Sequence, residues 1–263
     1  MWAPSTFGVA LVMTICSAVF WGSWANTYKG TRNYPFELFY WDYIVGVVIC
    51  ALGFALTLGS NGSAGEPFLA NLQAGTTANI VSALIGGFIF NIANLLLVAG
   101  IAIAGLAVAF PIAIGIAVVE GVLLSYILQP KGNIAFLGLG LVLAIAAVLA
   151  DSMAYKRLAG AGGSVTRKGV MVNVVSGLLM GGFAPFITHS MTHGHPLTPY
   201  TVSVLFSLGA FFCCFFVNVY FMKHPLVGNP VSFSGFSKAS GRDHLLGVLG
   251  GIVWGLGGNF NFI

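Results

Sequence analysis

The chain has 263 residues, of which 58% are hydrophobic and only 6% charged, and its mean hydropathy is +0.96. A soluble domain carries about 25% charged residues, so this composition excludes one and defines a polytopic membrane protein. The formal charge of +4 is small and dispersed, and no basic run reaches the length a nucleic-acid patch needs.

With about 20 apolar residues per crossing, the chain predicts eight spans, at 7–27, 38–59, 79–99, 104–128, 133–154, 169–188, 199–222 and from 243 onward. In the first, Trp21 and Trp24 are three apart and precede Asn26 and Lys29. Their rings can share a helix face that would stack a flat solute, although tryptophan also gathers at membrane interfaces for anchoring alone. The second opens with Glu37, Tyr40, Asp42 and Tyr43. Both carboxylates there can complement a positive helix N-terminus, and Asp42 is also a candidate proton-linked group.

The third span carries Gly86-Gly-Phe-Ile-Phe-Asn-Ile-Ala-Asn94. Asn91 and Asn94 share one helix face, and an amide in hydrocarbon is costly unless something answers it. Two readings stand side by side for each: helix-to-helix glue, or a solute ligand. Glu120 lies deep in the fourth span with no lysine or arginine near it in sequence, which makes it a second candidate for proton coupling. Pro111 and Pro185 each remove a helical hydrogen bond and predict local kinks.

Gly160-Ala-Gly-Gly163 follows a membrane helix and does not fit a nucleotide cradle. His189, His193 and His195 lie just before Pro196 and read as a solvated loop rather than a metal site, since no cysteine or carboxylate is close in sequence. In the last span Asp243 is expected to cap the helix. Glycines 247, 251 and 255 recur every fourth residue and predict a close helix crossing, and the span ends near Asn259 and Asn261. No nucleophile, base and orienting group are clustered, so neither an enzyme nor a cofactor is expected.

Of the ten lysines and arginines, all but Lys131 fall in the odd-numbered loops. The positive-inside rule then places those loops in the cytoplasm and the N-terminus outside a cytoplasmic (inner) membrane. Trp21-Gly22 and Tyr40 align in order with Gly181-Gly182 and Tyr200, as Gly86-Gly87 does with Gly250-Gly251. Five spans precede the basic linker, and an odd number per repeat implies two halves of opposite topology. The expected organisation is a first repeat at 1–155, a cytoplasmic linker at 156–168 and an incomplete second repeat at 169–263. Completing the second would take roughly 60 more residues.

Several of these segments resemble the ureide permeases of plants and their bacterial relatives. They are Trp21-Gly-Ser-Trp-Ala-Asn26, Tyr40-Trp-Asp-Tyr43, Leu56-Thr-Leu-Gly-Ser60, Gly86 to Asn94, Gly105-Leu-Ala-Val108 and Leu124-Ser-Tyr-Ile-Leu128. The likeness is good over roughly residues 15–155 and weaker beyond. It implies the drug/metabolite transporter superfamily and an all-α, ten-helix inverted-repeat (5+5) fold, of which about eight helices lie in this chain. It further implies secondary transport of small uncharged polar solutes such as allantoin and nucleobases, often with protons. The bacterial relatives are also similar to glucose, ribose and rhamnose uptake proteins, so sugar uptake is the alternative, with efflux after it. Glu120 matches no motif of that family.

The expected solute contacts are therefore Trp21, Asn26, Tyr40, Asn91, Asn94 and Asn259, with Asp42 or Glu120 as the proton-linked group. Mid-helix arginine or lysine is absent, which favours an uncharged solute over an anion. The partners expected are the solute, protons and the lipid bilayer, with oligomeric state left open.

Overall fold

The computed structural model describes all residues except 129, 131 and 160–165. Lys131 and Gly160–Gly163 thus lie outside the described residues. The described chain is helical, with no strand. Its helices are α1 (Phe7–Ser23), α2 (Ala25–Lys29), α3 (Phe36–Leu56), α4 (Phe68–Ala74), α5 (Thr77–Ala104), α6 (Leu106–Leu128) and α7 (Ile134–Ala159). They continue as α8 (Arg167–Gly182), α9 (Ala184–Thr192), α10 (Pro199–Cys213), α11 (Val219–Lys223), α12 (Ser234–Lys238) and α13 (Gly241–Phe262). A π-helical turn, Cys214–Asn218, joins α10 to α11.

Among the described residues, eight helical stretches are long and apolar enough to cross a membrane. They fall where the hydropathy placed them, because apolar length alone sets a span. Two are interrupted. The stretch Phe7–Lys29 breaks at Trp24 between α1 and α2, and Arg167–Thr192 breaks at Phe183 between α8 and α9. The second break has a simple cause: Pro185 has no N–H to offer the carbonyl of Gly181, four residues back. Pro111 sits inside α6 without ending it.

Helix starts follow side-chain capping. Thr6, Thr166 and Thr198 each accept a backbone N–H three residues on, opening α1, α8 and α10. At α13 the expectation that Asp243 is the cap is corrected: Ser240 accepts the Asp243 N–H at 3.1 Å, and its hydroxyl donates to the Asp243 carboxylate at 2.7 Å. Serine supplies the short oxygen that the capping position needs, while the aspartate three residues later complements the positive helix end.

The helices group into two compact units. The first comprises Met1–Gly87, His189–Pro225 and Asn229–Ile263. Within it α13 lies against α3 through the predicted glycine row. A Cβ at Gly251 would strike the Tyr43 carbonyl, one at Gly247 the Asp42 side chain, and one at Gly255 the Cys50 side chain at 2.7 Å. Gly46 returns the contact from α3 against the Val248 carbonyl. Another edge of α13 meets the first span, where Ser17 Oγ donates to the Gly257 carbonyl at 2.7 Å. Gly87 on α5 and Gly209 on α10 make the same kind of reciprocal approach, to the carbonyls of Phe206 and Leu84. Small residues let backbones approach where lipid offers no hydrophobic drive for association.

The second unit comprises Phe88–Thr188 and Leu226–Gly228. Here α8 packs on α6, with a Cβ at Gly177 meeting the Ala113 carbonyl at 2.7 Å. Gly105, at φ +74°, makes the turn between α5 and α6 that a residue with a Cβ would adopt only under strain. The apolar surface of α7 faces outward, with Phe136 74% exposed and Val142 63%.

Candidate functional site

In the first unit a polar cluster forms where α3 and α13 begin. Asp42 lies two turns into α3 and is only 7% exposed. Its Oδ2 accepts the Tyr34 hydroxyl at 2.7 Å and lies 2.8 Å from His244 Nδ1. The other ring nitrogen of His244, Nε2, lies 3.1 Å from the Phe236 carbonyl. Next to this group Asp243 Oδ1 accepts the Arg32 backbone N–H at 3.0 Å. An open-mouthed cavity of about 800 Å³ reaches the cluster, lined by Arg32, Tyr34, Lys238, Ser240, Arg242 and Asp243 among others. Burial and the bond to Asp42 push the Tyr34 phenol well above its ordinary range, so it stays a donor. Sequence reading found Asp42 but assigned its neighbourhood to the helix end. Tyr34 and His244 were missed, and the only signal in the chain was a histidine in the first turn of an apolar helix.

The other predicted residues of this unit lie apart from that cluster. Tyr40 is fully buried, its ring 5.3 Å from Phe36 and 5.0 Å from Tyr43. Trp21 and Trp24 do not form one platform: Trp21 lies 6.0 Å from Trp254, while Trp24 lies 4.8 Å from Tyr43. Asn26 is exposed on α2. Asn259 is buried on α13, where its Nδ2 donates to the Gly255 carbonyl at 2.8 Å and no protein group reaches its Oδ1. At about 1.5 Å rise per residue, Asn259 stands about 22 Å along the helix from His244.

In the second unit Asn91 and Asn94 are buried on α5, 1% and 4% exposed. The α8 helix crosses them closely, with Ser176 Oγ donating to the Ala93 carbonyl at 2.7 Å. Asn173, one turn before Gly177, is fully buried on α8. It donates to the Gly169 carbonyl at 2.8 Å and leaves Oδ1 without a partner. Sequence reading passed over Asn173, although its spacing with Gly177 and Gly181 places it on the small-residue face. Glu120 on α6 packs against Gly181, and its Oε2 is buried with no hydrogen-bond partner.

The histidine segment is solvent-exposed at residues 192–194, as expected, and its backbone is tied down by buried amides. Asn79 Nδ2 donates to the carbonyls of His193 and His195, at 2.8 and 2.9 Å. Asn71 donates to Glu66 and to the Pro196 carbonyl, and accepts the Thr198 N–H. His195 Nε2 lies 2.8 Å from Glu66, a carboxylate that sequence distance had hidden. The bonds from Asn71 and then His195 hold the Glu66 carboxyl below its ordinary range.

Among the described residues, eight helical stretches long and apolar enough to cross a membrane, glycine-mediated contacts and polar side chains buried within them define an all-α, multi-pass membrane protein. No family model and no solved structure matches the chain. Curated relatives do. A protein of Vigna unguiculata described as probable ureide permease A3 is 25% identical, over 97% of this chain and 88% of its own length. Ureide permease 1 of Arabidopsis thaliana is 24% identical, over 100% of this chain and 84% of its own. The chain is thus similar to the ureide permeases along nearly its whole length, as its motifs implied.

Proposed function

We propose that the protein is a secondary active transporter that moves a small uncharged polar metabolite, a ureide or a nucleobase-like compound, by alternating access coupled to protons. The observation that carries this is the match to two ureide permeases along nearly the whole chain. The chemistry of the buried groups supports it. Ureides and nucleobases are rich in N–H donors, and the Asn259 and Asn173 side-chain oxygens are acceptors that no protein donor reaches. A bound N–H would offset the roughly 1–3 kcal/mol that each such acceptor costs when buried unpaired.

Trp21, Asn26, Tyr40 and Asn259 in the first unit, and Asn91 and Asn94 in the second, are the proposed solute contacts along the transport path. Asp42 and Glu120 are the proposed proton-linked groups. The breaks at Trp24 and Phe183 favour a ten-helix inverted repeat, since they interrupt the first span before the basic linker and the first one after it. Interrupted helices at corresponding positions of two repeats are a hallmark of carriers. The proposed setting is a cytoplasmic membrane with the N-terminus outside.

The test is uptake of labelled allantoin, uracil and glucose into proteoliposomes, with and without an imposed proton gradient. Saturable uptake of allantoin or uracil, accelerated by the gradient, is the expected result. Saturable uptake of glucose alone would replace the ureide reading with sugar transport, and uptake of none would overturn the importer reading.

A further inference from the structure

We propose that Asp42 and His244 share one exchangeable proton that latches α3 to α13, making His244 a proton-coupling residue of the transporter. The inference rests on the proton-coupled reading above and adds to it the partner, the shared proton and the moving contact.

The Phe236 carbonyl can only accept, so the His244 Nε2 facing it at 3.1 Å bears a hydrogen. The Nδ1 to Oδ2 contact of 2.8 Å then needs one further proton, either on nitrogen beside a carboxylate or on oxygen beside a neutral imidazole. In both forms the pair is neutral as a whole and holds α3 to α13. Removal of that proton leaves one hydrogen for the two ring nitrogens; while the Phe236 carbonyl keeps it on Nε2, a ring lone pair faces the carboxylate and the contact turns from attractive to repulsive. The proton passes to water: the His244 side chain is 28% exposed, and the adjoining cavity reaches the Tyr34 ring whose hydroxyl bonds Asp42.

The surroundings permit the exchange. Tyr34 donates to the same carboxylate oxygen and lies 3.4 Å from Nδ1. Asp243, one residue before His244, is engaged by Ser240 and by the Arg32 N–H. The cations facing this region, Arg32, Lys238 and Arg242, line the cavity, and no ion pair joins any of them to Asp42. Gly247 presents no side chain to Asp42, which lets the two helices meet closely enough for the bond. Because the latch ties two membrane spans at one end, loss of the proton frees that end to part. A carrier that alternates between open states requires such a movable contact.

The test compares the full chain with H244N and H244A in proteoliposomes. Asparagine keeps a donor near the Nδ1 position but does not titrate, so it separates a fixed hydrogen bond from a proton switch. The thermal unfolding temperature is measured from about pH 5 to about pH 8, the interval in which histidine ordinarily changes charge. Allantoin uptake driven by an inward proton gradient is measured over the same interval. The wild type should lose stability in a step as pH rises, since the proton that holds the latch is lost. H244N should be nearly as stable as the acidic wild type but without the step, and its uptake should not respond to the gradient. H244A should be less stable at every pH.

A pH step that persists in H244N, or gradient-driven uptake equal to the wild type in that variant, would overturn the latch while leaving the transporter reading intact. If the wild type takes up no allantoin under any gradient, the transport reading fails instead. The unfolding curves alone then decide the latch, a step absent from H244N supporting it and superimposable curves refuting it.

Discussion

The closest approach of α13 to α3 is set by Gly251, and replacing it with alanine tests whether backbone contact, rather than side-chain interlocking, holds the two helices together. A Cβ there would meet the Tyr43 carbonyl and come within 2.8 Å of the Val47 nitrogen. These are backbone atoms that no rotamer change can move, so the helices must separate. Overpacking of this kind costs about 1–3 kcal/mol. Alanine also gains helix propensity over glycine, so the right comparison is a glycine in the same helix pair with nothing near it. Gly53 on α3 has no atom within 4 Å of its would-be Cβ. G53A takes the propensity gain alone, about 0.5–1 kcal/mol, and the difference between G251A and G53A isolates the clash. In a chain of this size each kcal/mol shifts the melting temperature by about 2–4 °C. G251A should therefore unfold about 2–12 °C below G53A by tryptophan fluorescence in detergent. Because Gly46 faces Val248 and Gly251 across the same interface, G46A combined with G251A should cost less than the sum of the two. Equal melting of G251A and G53A would refute the claim that this crossing needs glycine.

Three further outcomes follow from local contacts. Asn71→Leu strands the Pro196 carbonyl and the Thr198 N–H, which should cost about 1–3 kcal/mol and open residues 193–198 to limited proteolysis before the spans unfold. Ser240→Ala removes the cap of α13 and a donor to Asp243, which should cost about 0.5–2 kcal/mol in thermal unfolding. The Glu66 carboxyl is held below its ordinary range, so what its ionised form contributes is complete above that range and is lost as pH falls through the lowered value. Acidification should therefore raise amide exchange in the Pro196 loop in the wild type, and Glu66→Gln should flatten that response; a loss on raising the pH instead would contradict the assignment.

What the sequence made legible was whatever repeats along one helix. Eight spans were visible because hydrocarbon thickness demands a minimum apolar length. The crossing of α13 and α3 was visible because glycines 247, 251 and 255 recur on one face. Polar pairing was not visible, because its partners come from distant parts of the chain. His244 and Asp42 are 202 residues apart, and His195 and Glu66 are 129 apart. Read locally, Asp42 looked like a complement to its own helix end, and the contacts that tie down the exposed histidine segment left no trace. Trp21 and Trp24 failed as a shared face for another reason. Trp24 keeps helical geometry, but its ring packs on Tyr43 of α3 while that of Trp21 packs on Trp254 of α13, so the two rings are drawn to different helices.

The buried amides separate into two kinds once their partners are counted, and this bears on which of them a solute can use. Asn71 donates to two acceptors and accepts a backbone N–H, and Asn79 donates to two carbonyls. Each ties a loop to a helix, and a solute would have to break those bonds to bind there. Asn259 and Asn173 instead turn their NH₂ groups back onto the carbonyl four residues earlier in their own helix, leaving Oδ1 buried without a protein donor. That arrangement costs stability, and apart from a long contact of 3.9 Å from Asn259 Nδ2 to Cys50 Sγ on α3 it joins no second element, so the fold gives little reason for an amide at either place. Both stand on helices whose neighbouring glycines bring another span close, Gly255 beside Asn259 and Gly177 beside Asn173. An acceptor kept unpaired within a narrow, small-residue face suits an uncharged solute bearing N–H groups. It does not suit an anion, which would face the oxygen end of each amide.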